Sequence, residues 1–388
     1  MKIVLIANGY PNKRDPQWGC FERDQALALS KLNHQVSVLY ADKRFRTYWR
    51  KIGCFHFKEE GIDVYGIFII PTQWIKMLFG VKIQYWVSKH LLDLVYRKYA
   101  TEQGNPDIIY AHYLYNIAYA VFLKKKYGIP LVGIEHWSKL SCKKISTNLM
   151  YLGCMAYKNA DKLLAVSKSL EAQIYYHFNV GSTVVYNMLG AEFANPSIRQ
   201  ESLEKGFTFI AVGSLISRKG FDLLISAFAK SNLTDKGCSL IIVGDGEEKN
   251  RLSRQIHELG LSENVVLAGR KSKHEIINIM SDCNAFILSS RAETFGVVCI
   301  EAMSQGLPVI ATRCGGPEEF ISENNGILIP TEDIDAMALA MRQLYDNYGR
   351  YDIKTIVDNC MRRFSPQVIA KQLSYIFSDL DINRSTGQ

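Results

Sequence analysis

The sequence of 388 residues lacks the long apolar runs of a membrane protein. Charged residues interrupt every apolar stretch well short of the roughly 20 residues that a membrane-spanning helix needs. The opening run IVLIA is too short for the core of a signal peptide. The nine cysteines contain no C-x-x-C pair and no zinc-like spacing with histidine, which is typical of free thiols in a reducing compartment. We therefore expect a cytoplasmic protein.

Repeats and dinucleotide fingerprints are also absent. No segment recurs at a solenoid period, and no predicted strand is followed by Gly-x-Gly-x-x-Gly, which disfavours a Rossmann dehydrogenase. Apolar residues make up 48% of the chain, so it can form folded cores. Because domains usually contain about 100 to 200 residues, the length favours two of them.

The net charge of +8 is concentrated in the first half of the chain. Residues 1–195 hold 25 Lys and Arg against 14 Asp and Glu, whereas the remainder holds 21 against 24. Within the basic half, residues 43–58 and 73–100 interleave cations with Trp, Tyr and Phe. This pattern suits either contact with anionic lipid headgroups or a solvated basic face with half-buried aromatic rings. Nucleic acid is disfavoured because no binding motif accompanies the charge.

Short apolar runs alternate with amphipathic helical patterns along the whole sequence. Runs such as KIVLIA and SLIIVG are apolar throughout, as in strands that are covered on both faces of a parallel sheet. Ser272 and Glu275 have the spacing of a helix capping box. Strands are predicted at 2–8, 34–41, 63–70, 107–112, 130–135, 162–166, 183–187, 207–213, 239–243, 265–268, 285–289, 308–312 and 326–329.

Two consecutive β/α arrays predict an α/β fold with two doubly wound, Rossmann-like domains. Residues 190–206 are poor in large apolar side chains, so we place the boundary near residue 200. The N-terminal domain would span 1–200 and the C-terminal domain 201–364. A last helix within 365–388, with Pro366 at its first position, is a candidate to pack back on the N-terminal domain.

The segment SRAETFGVVCIEAMSQG carries two carboxylates, Glu293 and Glu301, around a predicted helix start at Gly296. The free N–H groups and the dipole of a helix N-terminus suit a phosphate. The two carboxylates could each hold a hydroxyl-bearing ring, one of a sugar and one of a ribose. Alternatively, Glu293 caps the helix and Glu301 is a surface charge.

A second polar loop, VGSLISRKG, places Arg218 and Lys219 between a predicted strand and a predicted helix. A cation pair at this position suits a diphosphate, through the planar guanidinium and the compact ammonium. The alternative is a pair of solvated side chains. Because this loop and the Glu293 loop both follow strands of one predicted sheet, they can face the same crevice.

Two histidines end predicted strands of the first half. His136 closes PLVGIEH and His112 closes DIIYAH. Each is interpretable either as a hydrogen-bonded core residue or as part of a site at the carboxyl edge of the sheet. His274 lies in the capping-box segment and is expected to be solvated.

The segment SRAETFGVVCIEAMSQGLPVIATRCGGPEEF resembles the E-x7-E signature of glycosyltransferase family 4, the retaining nucleotide-sugar transferases of the GT-B fold. Other segments resemble the family in the same order along the chain. They are YPNKRDPQWGCFERDQALALSKLNHQVSVLY, PDIIYAHY, IPLVGIEHWSK, LLAVSKSL, VVYN, VGSLISRKG and LIIVGDGEE. The resemblance implies a GT-B fold, with two doubly wound domains facing across a cleft.

The resemblance also implies roles for residues of the C-terminal domain. Glu293 would hold sugar hydroxyls near the reacting carbon, and Glu301 would bind the ribose. The leaving diphosphate would be neutralised by Arg218 and Lys219. It would also accept hydrogen bonds from the backbone N–H groups of Phe295, Gly296 and Val297.

In the N-terminal domain the resemblance points to Gly19, which would let a loop approach the donor phosphate, and to His136, which would reach the donor sugar. The family counterpart of His112 is less specific, so His112 is a further candidate only. Many members carry an arginine directly after the glycine where this chain has Ser214. Neutralisation of the phosphate would then depend on Arg218 and Lys219.

These roles predict a retaining transferase that moves a hexose-type sugar from a nucleotide-diphosphate sugar to a cell-surface glycan or a lipid-linked acceptor. No Asp-x-Asp pair follows a predicted strand end in the way that a metal-bound diphosphate would need, so we expect neither a metal nor a cofactor. The expected partners are the donor, a glycan or glycolipid acceptor, and an anionic membrane touched peripherally by the basic domain. The alternatives are a nucleotide-sugar epimerase or phosphorylase of the same fold, and a non-catalytic binding protein.

Overall fold

The computed structural model describes residues 1–44, 50–69, 73–142, 144–194 and 206–385. The chain forms two compact units, residues 1–186 with 366–388 and residues 187–365. The boundary that we expected near residue 200 falls outside the described residues. Residues 45–49, in the basic aromatic stretch 43–58, are also outside the described residues. The side chains of 73–79, in the stretch 73–100, are outside them as well.

The first unit is built on one sheet, in which eight strands pair within the described residues. Their order is β3-β4-β2-β1-β5-β6-β7-β8, and all neighbours are parallel except β3 and β4. The strands are β1 (Lys2–Ile6), β2 (Gln35–Asp42), β3 (Gly53–Glu59), β4 (Ile62–Phe68), β5 (Ile108–His112), β6 (Leu131–Glu135), β7 (Lys162–Ala165) and β8 (Thr183–Val184).

Helices connect these strands and cover the sheet. They are α1 (Cys20–Ser30), α2 (Gln73–Gln103), α3 (Tyr113–Tyr127), α4 (Thr147–Tyr157) and α5 (Lys168–Phe178). Gly80 interrupts α2 with a left-handed φ of 77°, which glycine adopts without steric cost. Ser146 and Ser167 cap α4 and α5 by accepting backbone N–H bonds, which satisfies groups that a helix start leaves open.

The apolar runs behave as the sequence predicts. Ile3, Val4 and Leu5 of β1 are fully buried, because helices cover both faces of a doubly wound sheet. The exception is β3, which the sequence analysis did not predict. All its residues except Glu59 lie within the cationic and aromatic stretch 43–58, and the strand is mostly exposed because it pairs only at the sheet edge.

The second unit contains a six-stranded parallel sheet in the described part of the chain, with the order β11-β10-β9-β12-β13-β14. The strands are β9 (Thr208–Val212), β10 (Ser239–Val243), β11 (Val265–Gly269), β12 (Ala285–Leu288), β13 (Val309–Thr312) and β14 (Gly326–Ile329). The helices are α6 (Phe221–Ser231), α7 (Lys249–Glu258), α8 (Lys273–Ser281), α9 (Val297–Ser304), α10 (Ile334–Asp346) and α11 (Ile353–Phe364).

Two details at helix ends follow from the sequence. The capping box of Ser272 and Glu275 forms at the start of α8, with both reciprocal hydrogen bonds. The last helix, α12 (Pro366–Ser385), belongs to the first unit and packs on α1. No helix among the described residues has the length and apolar content to cross a bilayer.

Candidate functional site

The order of strands marks one edge position in each sheet where a ligand can bind. In the second unit the chain runs from β9 outward to β11 and then returns to the other side of β9 with β12. In the first unit the same reversal separates β1 from β5. Ligands of open α/β sheets bind outside the carboxyl ends of the strands at such a reversal. The loops after β9, β12, β1 and β5 are therefore the places to examine.

In the second unit, Lys219 from the loop after β9 forms an ion pair with Glu293 from the loop after β12. Both side chains are largely buried, with exposed fractions of 15% and 10%. Charges in such a place need a partner, because the loss of water around them is costly. The fold thus brings a cation and a carboxylate together at the strand-order reversal.

Arg218 lies beside this pair. Its Nη1 donates to the carbonyl of Ala292 at 2.9 Å and lies 3.7 Å from Glu293 Oε2. Its side chain is 39% exposed, so its planar fork can still reach a ligand at this edge. The structure therefore groups Arg218, Lys219 and Glu293, as the sequence analysis expected for loops of one sheet.

The Glu293 carboxylate is held in a fixed position by its surroundings. Ser290 Oγ donates to Glu293 Oε1 at 2.9 Å, and the Glu293 N–H donates to the carbonyl of Cys314 at 2.9 Å. Thr312 Oγ1 in turn donates to the carbonyl of Ser290 at 2.5 Å. The interpretation of Glu293 as a helix cap does not apply, because Gly296 is the N-cap of α9 and receives no side-chain hydrogen bond.

Arg291 connects the two loops. Its guanidinium donates to both carboxylate oxygens of Asp222 at 3.0 Å, to Glu332 Oε1 at 2.6 Å and to the carbonyl of Ser217. Burial alone would raise the pKa of Asp222, but the hydrogen bonds and charge of Arg291 hold that pKa below its ordinary value. Arg291 thus fixes the segment that carries Lys219 against the segment that carries Glu293.

The start of α9 supplies backbone N–H groups at the same edge. Gly296 takes a left-handed φ of 87° immediately before Val297, the first residue of the helix. The side chain of Phe295 is buried and packs on Phe320, with ring centroids 5.2 Å apart. Glu301 lies one turn into α9 and is partly buried. Phe295, Gly296, Val297 and Glu301 are thus all within or next to the first turns of α9.

In the first unit the two histidines are adjacent. His136 Nε2 lies 3.2 Å from His112 Nδ1, and the rings are stacked at an angle of 10°. His112 is fully buried, and burial followed by the proximity of His136 lowers its pKa well below the ordinary value. His112 is therefore neutral at physiological pH. Tyr113, with an unusual left-handed φ of 68°, packs its ring 5.0 Å from that of His136.

A buried carboxylate positions the backbone around His136. Glu135 Oε1 accepts the N–H groups of His136 and Trp137 at 2.9 Å and 2.8 Å, and Oε2 accepts the Tyr157 hydroxyl at 2.6 Å. Glu135 has no exposed surface, and burial raises its pKa although these hydrogen bonds oppose the rise. The turn after β6 is thus fixed by a side chain from its own strand end.

The local packing of the chain requires glycine at position 19. It is the N-cap of α1 with a φ of 77°, and a Cβ at this position would overlap the backbone of Gly9. The loop between β1 and α1 therefore needs glycine for its own packing. Glu22 in the first turn of α1 accepts the N–H of Asn8 at 3.2 Å.

The sequence analysis missed the residues that support these groups, namely Ser290, Arg291, Asp222, Glu135 and Tyr157. Arg291 is two positions before Glu293 and Glu135 directly precedes His136, so their places in the sequence were a signal. Asp222 and Tyr157 were not identifiable, because their partners are 69 and 22 residues away.

Two family descriptions match the chain in succession. "Glycosyltransferase Family 4" matches residues 23–192, and "Glycosyl transferases group 1" matches residues 195–355. Together they account for most of the sequence. The chain belongs to the GT4-type glycosyltransferases. The sequence resemblance to this family is thereby confirmed, and the protein is a glycosyltransferase.

The relatives of this glycosyltransferase are named for different activities, and some are uncharacterised. An uncharacterised glycosyltransferase of Methanocaldococcus jannaschii is 29% identical over 63% of this chain and 67% of its own length. The lipopolysaccharide core biosynthesis glycosyltransferase LpsE of Rhizobium meliloti is 33% identical over 35% of this chain and 38% of its own. The N-acetyl-alpha-D-glucosaminyl L-malate synthase of Bacillus anthracis is 26% identical over 98% of both chains. The first two alignments thus span about one to two thirds of each relative.

Solved structures confirm the GT-B fold of the glycosyltransferase. A sucrose-phosphate synthase of Thermosynechococcus elongatus superposes with a TM-score of 0.78 at 18% identity, covering 98% of this chain and 99% of that one. The lipopolysaccharide outer core galactosyltransferase WaaB gives 0.72 at 21% identity, covering 98% and 100%. The Anabaena protein HepE, in complex with UDP, gives 0.70 at 19% identity, covering 97% and 99%.

Proposed function

We propose that this glycosyltransferase moves a hexose-type sugar from a nucleotide-diphosphate sugar to a cell-surface glycan or a lipid-linked acceptor, with retention of configuration and without a metal. The Rhizobium relative and WaaB carry names from lipopolysaccharide synthesis, and HepE was solved with UDP. These names support the classes of acceptor and donor that we assign to this chain.

The observation that carries the proposal is the grouping of Lys219, Arg218 and Glu293 at the strand-order reversal of the second unit. We assign Lys219 and Arg218 to the donor diphosphate and Glu293 to hydroxyls of the donor sugar. When a diphosphate arrives, the Lys219 ammonium can turn from the carboxylate to the phosphate oxygens. Glu293 keeps the hydrogen bond from Ser290, so it remains placed to accept sugar hydroxyls.

The chemical step follows from charge. Cleavage of the bond between sugar and diphosphate leaves positive charge on the anomeric carbon and negative charge on the leaving oxygens. Cations and hydrogen-bond donors that already point toward the leaving group lower this barrier most effectively. Two cations and the N–H groups at Phe295, Gly296 and Val297 would supply that stabilisation. We assign Glu301, one turn further along α9, to the ribose hydroxyls.

In the first unit we assign His136 to the donor sugar and Gly19 to the loop that admits the donor phosphate. We give His112 an indirect role. Since His112 is neutral and buried, its contact with His136 Nε2 fixes the ring orientation of His136. Glu135 contributes by holding the backbone of the same turn.

We also propose that the first unit touches an anionic membrane. Trp86, Ile83 and Tyr151 are 58%, 44% and 41% exposed, and Lys82 lies 5.8 Å from the centre of the Tyr151 ring. Lys89 lies between the rings of Tyr85 and Phe122. Exposed aromatic and aliphatic groups among cations are suited to a headgroup layer.

The experiment that tests the function is a panel of nucleotide sugars, screened first for protection against thermal unfolding. A donor that binds only the folded state raises the unfolding temperature by mass action. The stabilising donor is then incubated with membrane extracts, and products are analysed with and without acceptor. Transfer that requires an acceptor supports the proposal. Conversion of the donor alone would instead identify an epimerase, and protection without any product would identify a binding protein.

A further inference from the structure

A lysine at the carboxyl end of β2 lies in an enclosed polar position that the proposed function does not use. Lys43 directly follows β2, and its Nζ donates to Ser88 Oγ of α2 at 2.6 Å. The same Nζ lies 4.7 Å from the centre of the Tyr119 ring of α3. Ser88 and Tyr119 are buried. We call Lys43, Ser88 and Tyr119 the Lys43 site.

The charge balance at this position is positive. Asp42 is the carboxylate that acts on Lys43, but it already forms ion pairs with Arg50 and with Arg44, the latter at 3.5 Å. Among the described residues, the buried Asp42 carboxylate thus lies close to three cations, Lys43, Arg44 and Arg50. Burial lowers the pKa of Lys43 to about 8, and the charge of Asp42 only partly opposes this effect. The protein therefore holds a poorly compensated ammonium, which is energetically costly.

Another lysine of the same unit, Lys126, is paired directly with a carboxylate. Lys126 of α3 donates to both carboxylate oxygens of Asp93 of α2, at 2.9 Å and 2.8 Å. Within the described residues, Lys43 has no carboxylate at ion-pair distance, and its hydrogen bond goes to a neutral hydroxyl. An external anion can therefore pair with the Lys43 ammonium.

The neighbouring hydroxyls suit a tetrahedral oxyanion. Burial raises the pKa of Tyr119 to about 12, so its hydroxyl stays protonated. Ser88 is in hydrogen-bond contact with Tyr119 as well as with Lys43. Ser88 has one O–H, which it donates to Tyr119, so the donors that remain for the oxygens of a phosphate are the Lys43 ammonium and the Tyr119 hydroxyl. The carboxyl end of β2 is also the sheet edge at which ligands of this fold class bind.

We propose that the Lys43 site binds a phosphate group of the acceptor. The assignment of this phosphate to the acceptor rests on the proposed function, because the donor diphosphate is assigned to Lys219 and Arg218 in the other unit. The acceptor is accordingly a phosphorylated molecule, either a lipid-linked phosphate or a soluble phosphate ester.

The test measures the binding of inorganic phosphate and pyrophosphate by thermal unfolding and calorimetry, with ionic strength held constant by chloride. Lys219→Met serves as the background, so that the donor site does not contribute. We expect phosphate to stabilise this protein, and Lys43→Met in the same background to weaken binding at least about tenfold, since a charge-assisted hydrogen bond is lost. The matched control is Lys125→Met, an exposed lysine on α3, which should bind phosphate as the background does.

The stability without phosphate separates a ligand role from a structural one. If Lys43 awaits a ligand, Lys43→Met unfolds at the same or a higher temperature than its background, because a poorly compensated charge has been removed. Unchanged phosphate binding in Lys43→Met overturns the proposal, as does a large loss of stability with unchanged phosphate dependence. If Lys43→Met does not fold, Ser88→Ala and Tyr119→Phe decide, and undiminished phosphate affinity in both overturns it.

Vesicles distinguish the two sources of phosphate. Vesicles of phosphatidylcholine with phosphatidic acid should retain the wild type better than Lys43→Met if the phosphate is lipid-borne. Equal retention, together with Lys43-dependent binding of inorganic phosphate, identifies a soluble ester. The donor assignment is read separately from protection by nucleotide sugars, which Lys43→Met should keep and Lys219→Met should lose.

Discussion

Lys219 and Glu293 are 74 residues apart in the sequence and form a largely buried ion pair at the carboxyl edge of the second sheet. In the absence of donor each neutralises the other. In the proposed function, a diphosphate competes for the ammonium and a sugar hydroxyl competes for the carboxylate. The pair is therefore an arrangement in which the two binding groups are oriented and desolvated before the substrate arrives, which reduces the cost of reorganisation during the reaction.

Breaking this pair should affect transfer and stability in different ways. Lys219→Met and Glu293→Gln are each expected to lower transfer by orders of magnitude, because the leaving group or the sugar loses a partner. Lys219→Met should also destabilise the fold by about 3 kcal/mol, because it leaves Glu293 without its ammonium. The double variant should lose less stability than the sum of the two single variants, as measured by urea unfolding. Strict additivity would show that the pair is not coupled.

The guanidinium of Arg291 should matter for donor binding rather than for the chemical step. Arg291→Lys cannot donate to Asp222 with two parallel hydrogen bonds, so the two loops should separate slightly and the donor KM should rise about tenfold. Arg251→Lys is the matched control, since Arg251 is 56% exposed and lies 3.5 Å from the same Asp222. A normal KM in Arg291→Lys, measured by initial rates with the donor varied, would contradict the positioning role.

The same contact predicts a dependence of stability on pH. The folded pKa of Asp222 is depressed, so its contribution is present above the ordinary aspartate pKa of about 4 and is lost as pH falls through the lower folded value. Wild type should therefore lose this part of its stability on acidification below about pH 4. Asp222→Asn should show a smaller loss over that range in urea unfolding curves. Parallel curves for the two proteins would assign no linkage to Asp222.

The sequence contained enough information for the sheets because short apolar runs mark most of their strands. All thirteen predicted strands are present, and in the central ones burial on both faces leaves a signal that local composition reveals. The strand β3 was missed because an exposed edge strand has no such signal, and its residues CFHFKE also carry charge. The reversal of strand order, which selects the site, depends on pairing between distant segments and could not be read from any single segment.

Some residues of the candidate site could be predicted from the sequence, and others could not. The loops that carry Arg218, Lys219, Glu293 and His136 follow predicted strands, and their sequences resemble segments of the family. The residues that hold them act over long sequence separations, as Arg291 does on Asp222, or from inside a strand end, as Glu135 does. A glutamate at the end of an apolar strand indicates that hydrogen-bond donors surround its carboxylate. Only the fold shows that these donors belong to the turn of His136.

The Glu135 carboxylate should influence turnover through the position of His136. Glu135→Gln replaces an acceptor of two backbone N–H groups by an amide that must also satisfy its own donors. We expect a loss of about 1 to 3 kcal/mol in stability and a lower kcat with the donor KM unchanged. Tyr157→Phe should give the same pattern more weakly, and Tyr176→Phe, at a tyrosine that is 72% exposed, should change neither. A raised KM with normal kcat in Glu135→Gln would instead place the effect on donor binding.

The exposed surface of α2 and α4 should determine attachment to membranes. Trp86→Ser removes an aromatic ring that is 58% exposed, and Lys82→Glu reverses a charge beside Tyr151. Each juxtamembrane cation contributes roughly 1 kcal/mol toward an anionic layer, so charge reversal should lower vesicle retention more than tenfold in flotation with anionic lipid. Tyr176→Ser is the control, because Tyr176 is as exposed but lies on α5. If wild type floats equally well with neutral vesicles, charge is not what attracts it. If Tyr176→Ser is impaired as much as Trp86→Ser, the contact is not confined to the surface of α2 and α4.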